Sequence, residues 1–244
     1  MVKTGSTVLV LVLLVAVIIL AGCGNKQPQQ AANTSQQSGT TSQQTQPQAQ
    51  TGNSGSGNTS APEQWQPYKF KAGDFFKYEI ISQEGGSTQK GWYTLEILPQ
   101  SGNQVQVVFN GELGEANFSV QQTTELDNVM QPLMQTVLMQ SAASGNNAMF
   151  FILSPTWITA FQFGNPLAQS EYKFTDQQGK VHIYKTTGKK TYAGISGYSG
   201  VALEDGQEVI SWCVSPGYPL ALYSKLKIDE NVFESTIVEG RRGK

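Results

Sequence analysis

The chain has 244 residues, 39% of them hydrophobic and 14% charged, with a formal net charge of −2, two cysteines and one histidine. That balance excludes a disulfide-rich scaffold, a collagen, a strongly basic nucleic-acid binder and a polytopic membrane protein. Within these averages lie three zones, because only Lys3 and Lys26 precede Glu63 among the 34 charged residues and all 24 aromatic residues lie beyond position 64. The expected organisation is therefore residues 1–22, residues 23–62 and a globular domain over 63–244, long enough for one hydrophobic core.

The first zone places Lys3 ahead of an uninterrupted apolar run over residues 8–21. Fourteen helical residues span about 21 Å, short of a bilayer core of about 30 Å. A basic start, a short apolar run and small residues at the exit describe a secretory signal peptide. The exit, Leu20-Ala21-Gly22-Cys23, resembles the lipobox of prokaryotic lipoproteins. The resemblance implies cleavage before Cys23, lipidation of its thiol and export. It also implies attachment to the outer face of the cytoplasmic membrane or to an outer membrane. Two or more acyl chains give stable attachment where one is marginal, so the expected partner at this end is a membrane that the chain does not span.

Residues 24–62 are almost wholly Gln, Ser, Thr, Asn, Gly, Ala and Pro, with no aromatic and no large aliphatic residue. Such a stretch buries too little apolar surface to offset the entropy of ordering it. As a flexible coil it spans on the order of 35 Å, and fully extended roughly 130 Å, so it reads as a spacer. Asn-x-Ser/Thr sequons stand at Asn33, Asn58 and Asn117.

From residue 75 the pattern changes to a period of two. Phe76, Tyr78 and Ile80 alternate with Lys77 and Glu79, and the same alternation returns at Tyr93, Leu95 and Ile97, then at Val105, Val107 and Phe109. These are half-buried strands, with turns at Gly85-Gly86 and Ser101-Gly102-Asn103. Between residues 123 and 144 the period becomes helical, with Leu126, Val129, Met130, Leu133, Met134, Val137 and Leu138 on one stripe. Pro132 is expected to kink this helix or to start its second half. A second helix is signalled by Ser154, Pro155 and Gly164, with Trp157, Ile158, Phe161 and Phe163 in its body. Strands resume at Tyr172 with Phe174 and at Val181 with Ile183, joined by Gln177-Gln178-Gly179, and continue at about 191–204, 207–214, 219–228 and 231–239. Nine or ten strands with connections this short predict an antiparallel meander. The fold class is therefore mainly β (α+β): a curved antiparallel sheet or incomplete barrel with a helical insert, residues 124–164, on its concave face.

Two stretches carry a family likeness. The turn Tyr192-Ala193-Gly194-Ile195-Ser196-Gly197-Tyr198 is followed by a strand, Asp205-Gly206, and Ser211-Trp212-Cys213-Val214-Ser215-Pro216-Gly217-Tyr218-Pro219-Leu220. This resembles the C-terminal half of LolA-like lipoprotein and lipid carriers, and residues 70–78 are similar to the first strand of related periplasmic β-domains. The resemblance implies an incomplete barrel whose apolar hollow, covered by short helices, receives acyl chains. One departure is plain: the only arginines are Arg241 and Arg242, in the tail.

The chemical inventory is short. One histidine, His182, and one cysteine left after lipidation, Cys213, cannot form a His- or Cys-based zinc site. His182 reads as a partly covered strand residue facing the same way as Tyr184, and Cys213 beside Trp212 as a buried structural thiol. Glu204 and Asp205 are adjacent and so face opposite ways on a strand, which argues against an acid/base pair. Gly194, Gly197 and Gly200 read as turn and bulge glycines. No catalytic residue, metal site or cofactor is expected, and 14 basic against 18 acidic residues from Glu63 onward disfavour nucleic acid. Two readings remain. One is a binding module holding a lipid or other acyl-chain ligand, lined by Met130, Met134, Phe150, Phe151, Trp157 and Phe161. The other is a structural or interaction protein of the cell envelope, its sheet plugged by the same residues, with no small ligand and a protein partner left unidentified.

Overall fold

The computed structural model describes residues 64–144, 167 and 171–244. Ten antiparallel strands make one sheet: β1 (Phe75–Glu84), β2 (Ser87–Pro99), β3 (Gln104–Leu113), β4 (Ala116–Glu125), β5 (Glu171–Thr175), β6 (Val181–Tyr192), β7 (Ile195–Glu204), β8 (Gln207–Val214), β9 (Tyr223–Ile228) and β10 (Asn231–Arg241). Their spatial order is β4-β3-β2-β1-β10-β9-β8-β7-β6-β5. Two meanders, β1 to β4 and β5 to β10, are thus joined where the first strand pairs with the last, with Tyr78 opposite Ile237 and Ile80 opposite Ser235. The sheet is not closed, because β4 and β5 are its two edges.

The period of two read from the sequence is the burial pattern of the strands. Phe76, Tyr78 and Ile80 are buried while Lys77 and Glu79 are exposed, and Tyr93, Leu95, Ile97, Val105, Val107 and Phe109 continue the same inner face. At Asp205-Gly206 both residues have positive φ, 50° and 82°, the geometry that lets a two-residue turn follow the twist of its strands.

The helical insert begins later than its sequence pattern. A strand that the periodicity did not announce, β4, runs through Glu125, so residues 124 and 125 belong to the sheet. Leu126–Asn128 form a 3-10 turn and the helix α1 is Met130–Ser144. The apolar stripe beginning at Leu126 overstated the helix because a single turn of 3-10 carries the same spacing. Pro132 does not divide α1. It sits in the first turn, where backbone N–H groups have no intrahelical acceptor to lose. Val129, Leu133 and Val137 are buried, and α1 packs on β4. The second expected helix, residues 154–164, lies outside the described residues. The strand expected from residue 219 starts instead at Tyr223, because Leu220, Ala221 and Leu222 are buried in irregular chain. The expected strand at 191–204 is divided: Tyr192 ends β6, and Ala193-Gly194 is the turn into β7. Among the described residues no helix is long and apolar enough to cross a membrane.

Candidate ligand-contacting face

Across the first meander the inner face is a file of rings. Tyr78 stacks on Tyr93 with centroids 4.7 Å apart, Tyr93 meets Phe109 at 5.5 Å, and Phe109 stacks on Phe118 at 5.2 Å. The register requires Gly111 beside this file. It pairs with Phe118, and a Cβ there would come within 2.3 Å of the Phe118 ring. The second meander repeats the device, since a Cβ at Gly200 would lie 2.3 Å from the Trp212 ring. Gly197 and Gly200 therefore sit inside β7 under close neighbours, and of the three glycines read as turn or bulge residues only Gly194 is in a turn. A bulge does lie opposite Gly200, between Thr186 and Gly188 on β6. Trp65, Ala202, Trp212, Val214 and Ala221 form one cluster, with Leu167, Tyr184, Val209 and Ile210 against it.

One end of the inner face is covered by chain preceding β1. Trp65 donates its indole N–H to the Tyr218 carbonyl at 2.8 Å, Tyr68 donates its backbone N–H to the Pro219 carbonyl at 2.8 Å, and Phe70 packs against Phe76 with ring centroids 6.4 Å apart. Tyr78 donates its hydroxyl to the Ala221 carbonyl at 2.8 Å. Burial raises the phenol pKa of Tyr68, of Tyr78, where Tyr218 adds to it, and of Tyr93, where Tyr78 and Tyr68 add to it. These phenols stay neutral at physiological pH, so the inner face is uncharged there. Two of its buried serines pair with each other, Ser224 Oγ lying 2.8 Å from Ser235 Oγ.

Two charged groupings flank the sheet. At the start of β1 the fully buried Asp74 carboxylate accepts the N–H of Lys71 at 2.8 Å and the N–H of Gly243 at 2.8 Å, and it forms an ion pair with Arg242, whose Nη1 lies 2.9 Å away. Arg242, read from the sequence as a tail residue, is thereby an interior partner that ties the C-terminal segment to β1. At the β5–β6 turn His182 Nε2 lies 2.9 Å from Asp176 Oδ2 and its ring stacks on Phe174 at 4.8 Å. Lys180 pairs with Glu204, and Asp205 accepts the Val181 N–H at 2.9 Å. Each of these groups is thus occupied in holding a turn. Among the described residues no group of three or more His, Cys, Asp or Glu is placed to hold a metal ion. An open depression of about 430 Å³ over β8 and β9, lined by Gln207, Glu208, Val209, Lys225 and Lys227, is polar and mixed in charge.

Of the expected ligand-lining residues, Met130 and Met134 stand half-buried on α1, while Phe150, Phe151, Trp157 and Phe161 lie outside the described residues, as does Cys23. Cys213 is fully buried, and burial pushes its thiol pKa up. Sequence reading missed the covering end formed by Trp65, Tyr68 and Phe70. Its signal was present: three aromatic residues within six positions, directly after a stretch containing none.

No protein-family profile matches the chain, and no curated protein matches it. Among solved structures it is similar to MucB, at 10% identity over 72% of this chain and 56% of that one, with a TM-score of 0.38. It is also similar to the MucA/MucB complex of Pseudomonas aeruginosa, at 12% identity, 70% and 52% coverage and a TM-score of 0.34. A third likeness is to a domain named for outer membrane lipoprotein sorting from Vibrio parahaemolyticus, at 6% identity, 72% and 88% coverage and a TM-score of 0.21. The chain spans about half the length of the MucB chains it matches. Scores this low do not establish a shared fold.

Proposed function

We propose that the protein is an exported lipoprotein, anchored through Cys23, whose domain is a non-catalytic binding module held off the membrane by residues 24–62. The observation that carries the binding role is the inner face of the sheet: a ring-lined apolar face on a sheet that is not closed, flanked by the half-buried Met130 and Met134 of α1. Surfaces of this kind suit acyl chains, which need apolar contact and few directed polar groups. The LolA-like sequence resemblance points the same way. Anchoring rests on the lipobox Leu20-Ala21-Gly22-Cys23.

A second reading, an interaction protein with a filled core and no small ligand, is favoured by one observation. Phe76, Ile97, Val107 and Phe109 have no exposed surface at all. Two measurements decide. Lipid labelling of the intact chain is expected to disappear in Cys23→Ser, and labelling that persists removes the anchoring assignment. Saturable, one-site micromolar binding of an apolar fluorescent probe by the folded, delipidated protein, competed by fatty acid, supports the binding module. No saturable binding transfers the domain to the filled reading.

A further inference from the structure

Independently of anchoring and of any lipid ligand, the two edges of the sheet differ in how they are protected. Exposed edges are normally blunted by shortness, lysine, proline or a bulge, because their unpaired N–H and C=O groups template another strand. The β5 edge follows that rule: it has five residues, two of them the charged Glu171 and Lys173. The β4 edge does not. It has ten residues without lysine, arginine or proline, and its ladder with β3 runs from Leu113 opposite Ala116 to Gln104 opposite Glu125 without a register shift. Residues 116–144 contain only Glu125 and Asp127 as charged groups, and the neighbouring charges, Glu112 opposite Asn117 and Glu115 in the preceding turn, are acidic as well. Asn117, Ser119, Gln121, Gln122 and Thr123 are exposed, and Met139 of the adjoining helix is 74% exposed.

The turn fixes which backbone groups point outward. Leu113 and Ala116 close a two-residue turn and so form a hydrogen-bonded pair, after which bonded and non-bonded pairs alternate. Asn117, Ser119, Gln121, Thr123 and Glu125 therefore direct their N–H and C=O groups away from β3. We infer that this edge pairs antiparallel with β4 of a second copy of the chain, in the register that sets Gln121 opposite Gln121 of that copy. In that register Ser119 faces Thr123 and Asn117 faces Glu125, so all five outward residues are paired and the two Glu125 carboxylates stand at opposite ends. The side chains are amides and hydroxyls that both donate and accept, which an identical strand satisfies under two-fold symmetry. No basic residue on the edge selects an acidic partner, and Glu125 alone is a weak attractor for a basic one.

The test is sedimentation velocity of the full chain in mild detergent over a range of concentrations, beside Gln121→Lys and Gln121→Thr. The parent and Gln121→Thr are expected to dimerise with constants within about threefold of each other. Gln121→Lys, which brings two ammonium groups together at the symmetry axis, is expected to weaken the dimer at least tenfold while leaving the circular dichroism spectrum, and the thermal midpoint at concentrations where both chains are monomeric, unchanged. Should the lysine variant misfold, hydrogen exchange of the parent decides instead. Amide exchange at Ser119, Gln121 and Thr123 is expected to slow as concentration rises. A chain monomeric at every concentration, a dimer indifferent to Gln121→Lys in its folded form, or exchange at these amides independent of concentration overturns the proposal.

Discussion

Removing the guanidinium of Arg242 tests the buried ion pair at the start of β1. Asp74 has no exposed surface; its carboxylate accepts two backbone N–H groups, each at 2.8 Å, and is ion-paired with Arg242, whose Nη1 lies 2.9 Å away. Breaking a buried ion pair by deleting one partner costs about 3–5 kcal/mol, because the remaining charge is left uncompensated. Two considerations lower that figure here. Arg242 keeps 20% of its side-chain surface exposed, and the N–H groups of Lys71 and Gly243 remain on the carboxylate after the change. Arg242→Ala is therefore expected to destabilise by about 2–3 kcal/mol, which for a domain of this size lowers the thermal midpoint by roughly 4–12 °C.

Arg241→Ala is the internal control. Its side chain is 67% exposed, lies 3.3 Å from the exposed Glu239 and covers the Phe75 ring at 4.6 Å, so its loss is expected to cost below about 1 kcal/mol. The assay is urea unfolding of the parent, Arg242→Ala, Asp74→Asn and the double variant, followed by circular dichroism. The two single losses are expected to be strongly non-additive, since each removes the same contact. Equal small effects from Arg241→Ala and Arg242→Ala, or additive losses in the double variant, would refute the claim that the tail is tied to β1 through this pair.

Gly200→Val places branched carbon where a Cβ alone would already approach the Trp212 ring to 2.3 Å, so a loss of about 1–3 kcal/mol and a shifted tryptophan emission are expected; an unchanged midpoint contradicts the close approach. The His182 hydrogen bond, followed by those from the Lys180 and Gln178 N–H groups, holds the Asp176 carboxyl below the usual aspartate range. A depressed folded pKa contributes stability above the unfolded value that is lost as pH falls through the folded one, so His182→Gln is expected to move that loss to higher pH. Carboxyl-carbon NMR titration of Asp176 reads it directly, and an unmoved titration removes His182 as the cause. Cys213, buried and with its thiol pKa raised, is expected to react with a thiol reagent at the rate of global unfolding, and fast labelling of the native protein contradicts its burial.

What the sequence disclosed and what it concealed follow one physical division. Alternation is local, so Phe76-Lys77-Tyr78-Glu79-Ile80 announced β1 and its inner face without reference to anything else, and Asp205-Gly206 announced its turn through backbone geometry alone. The strand β4 escaped because an edge strand needs only part of one face buried. Phe118 is its sole buried residue, and Gln121-Gln122-Thr123-Thr124 carries no alternation. Partners distant in sequence leave no local trace. Trp65 reaches a carbonyl 153 positions away, and Asp74 accepts an N–H 169 positions away, so both aromatic cover and ionic tie were invisible as pairs although each residue was in plain view.

The pairing of β1 with β10 makes these long-range ties more than local decoration. It places the first and last strands of the sheet side by side in its interior, so the seam between the two meanders consists of contacts separated by 149 to 166 positions in sequence. Loop closure of that length must precede any reward from the pairing, and topologies dominated by such contacts fold slowly. The Asp74 cluster lies at one end of this same seam, where Phe75 is opposite Arg241, while Tyr78 opposite Ile237 supplies its apolar middle. Charge at the end fixes which residues meet, because a buried carboxylate tolerates no misplaced donor, and the rings then add non-directional burial along the register so chosen. The same arrangement leaves β4 and β5 as edges whose connection carries α1, with Val129, Leu133 and Val137 buried on the β4 side. Because α1 packs on β4, on the proposed reading its half-buried methionines flank the ligand surface from that side.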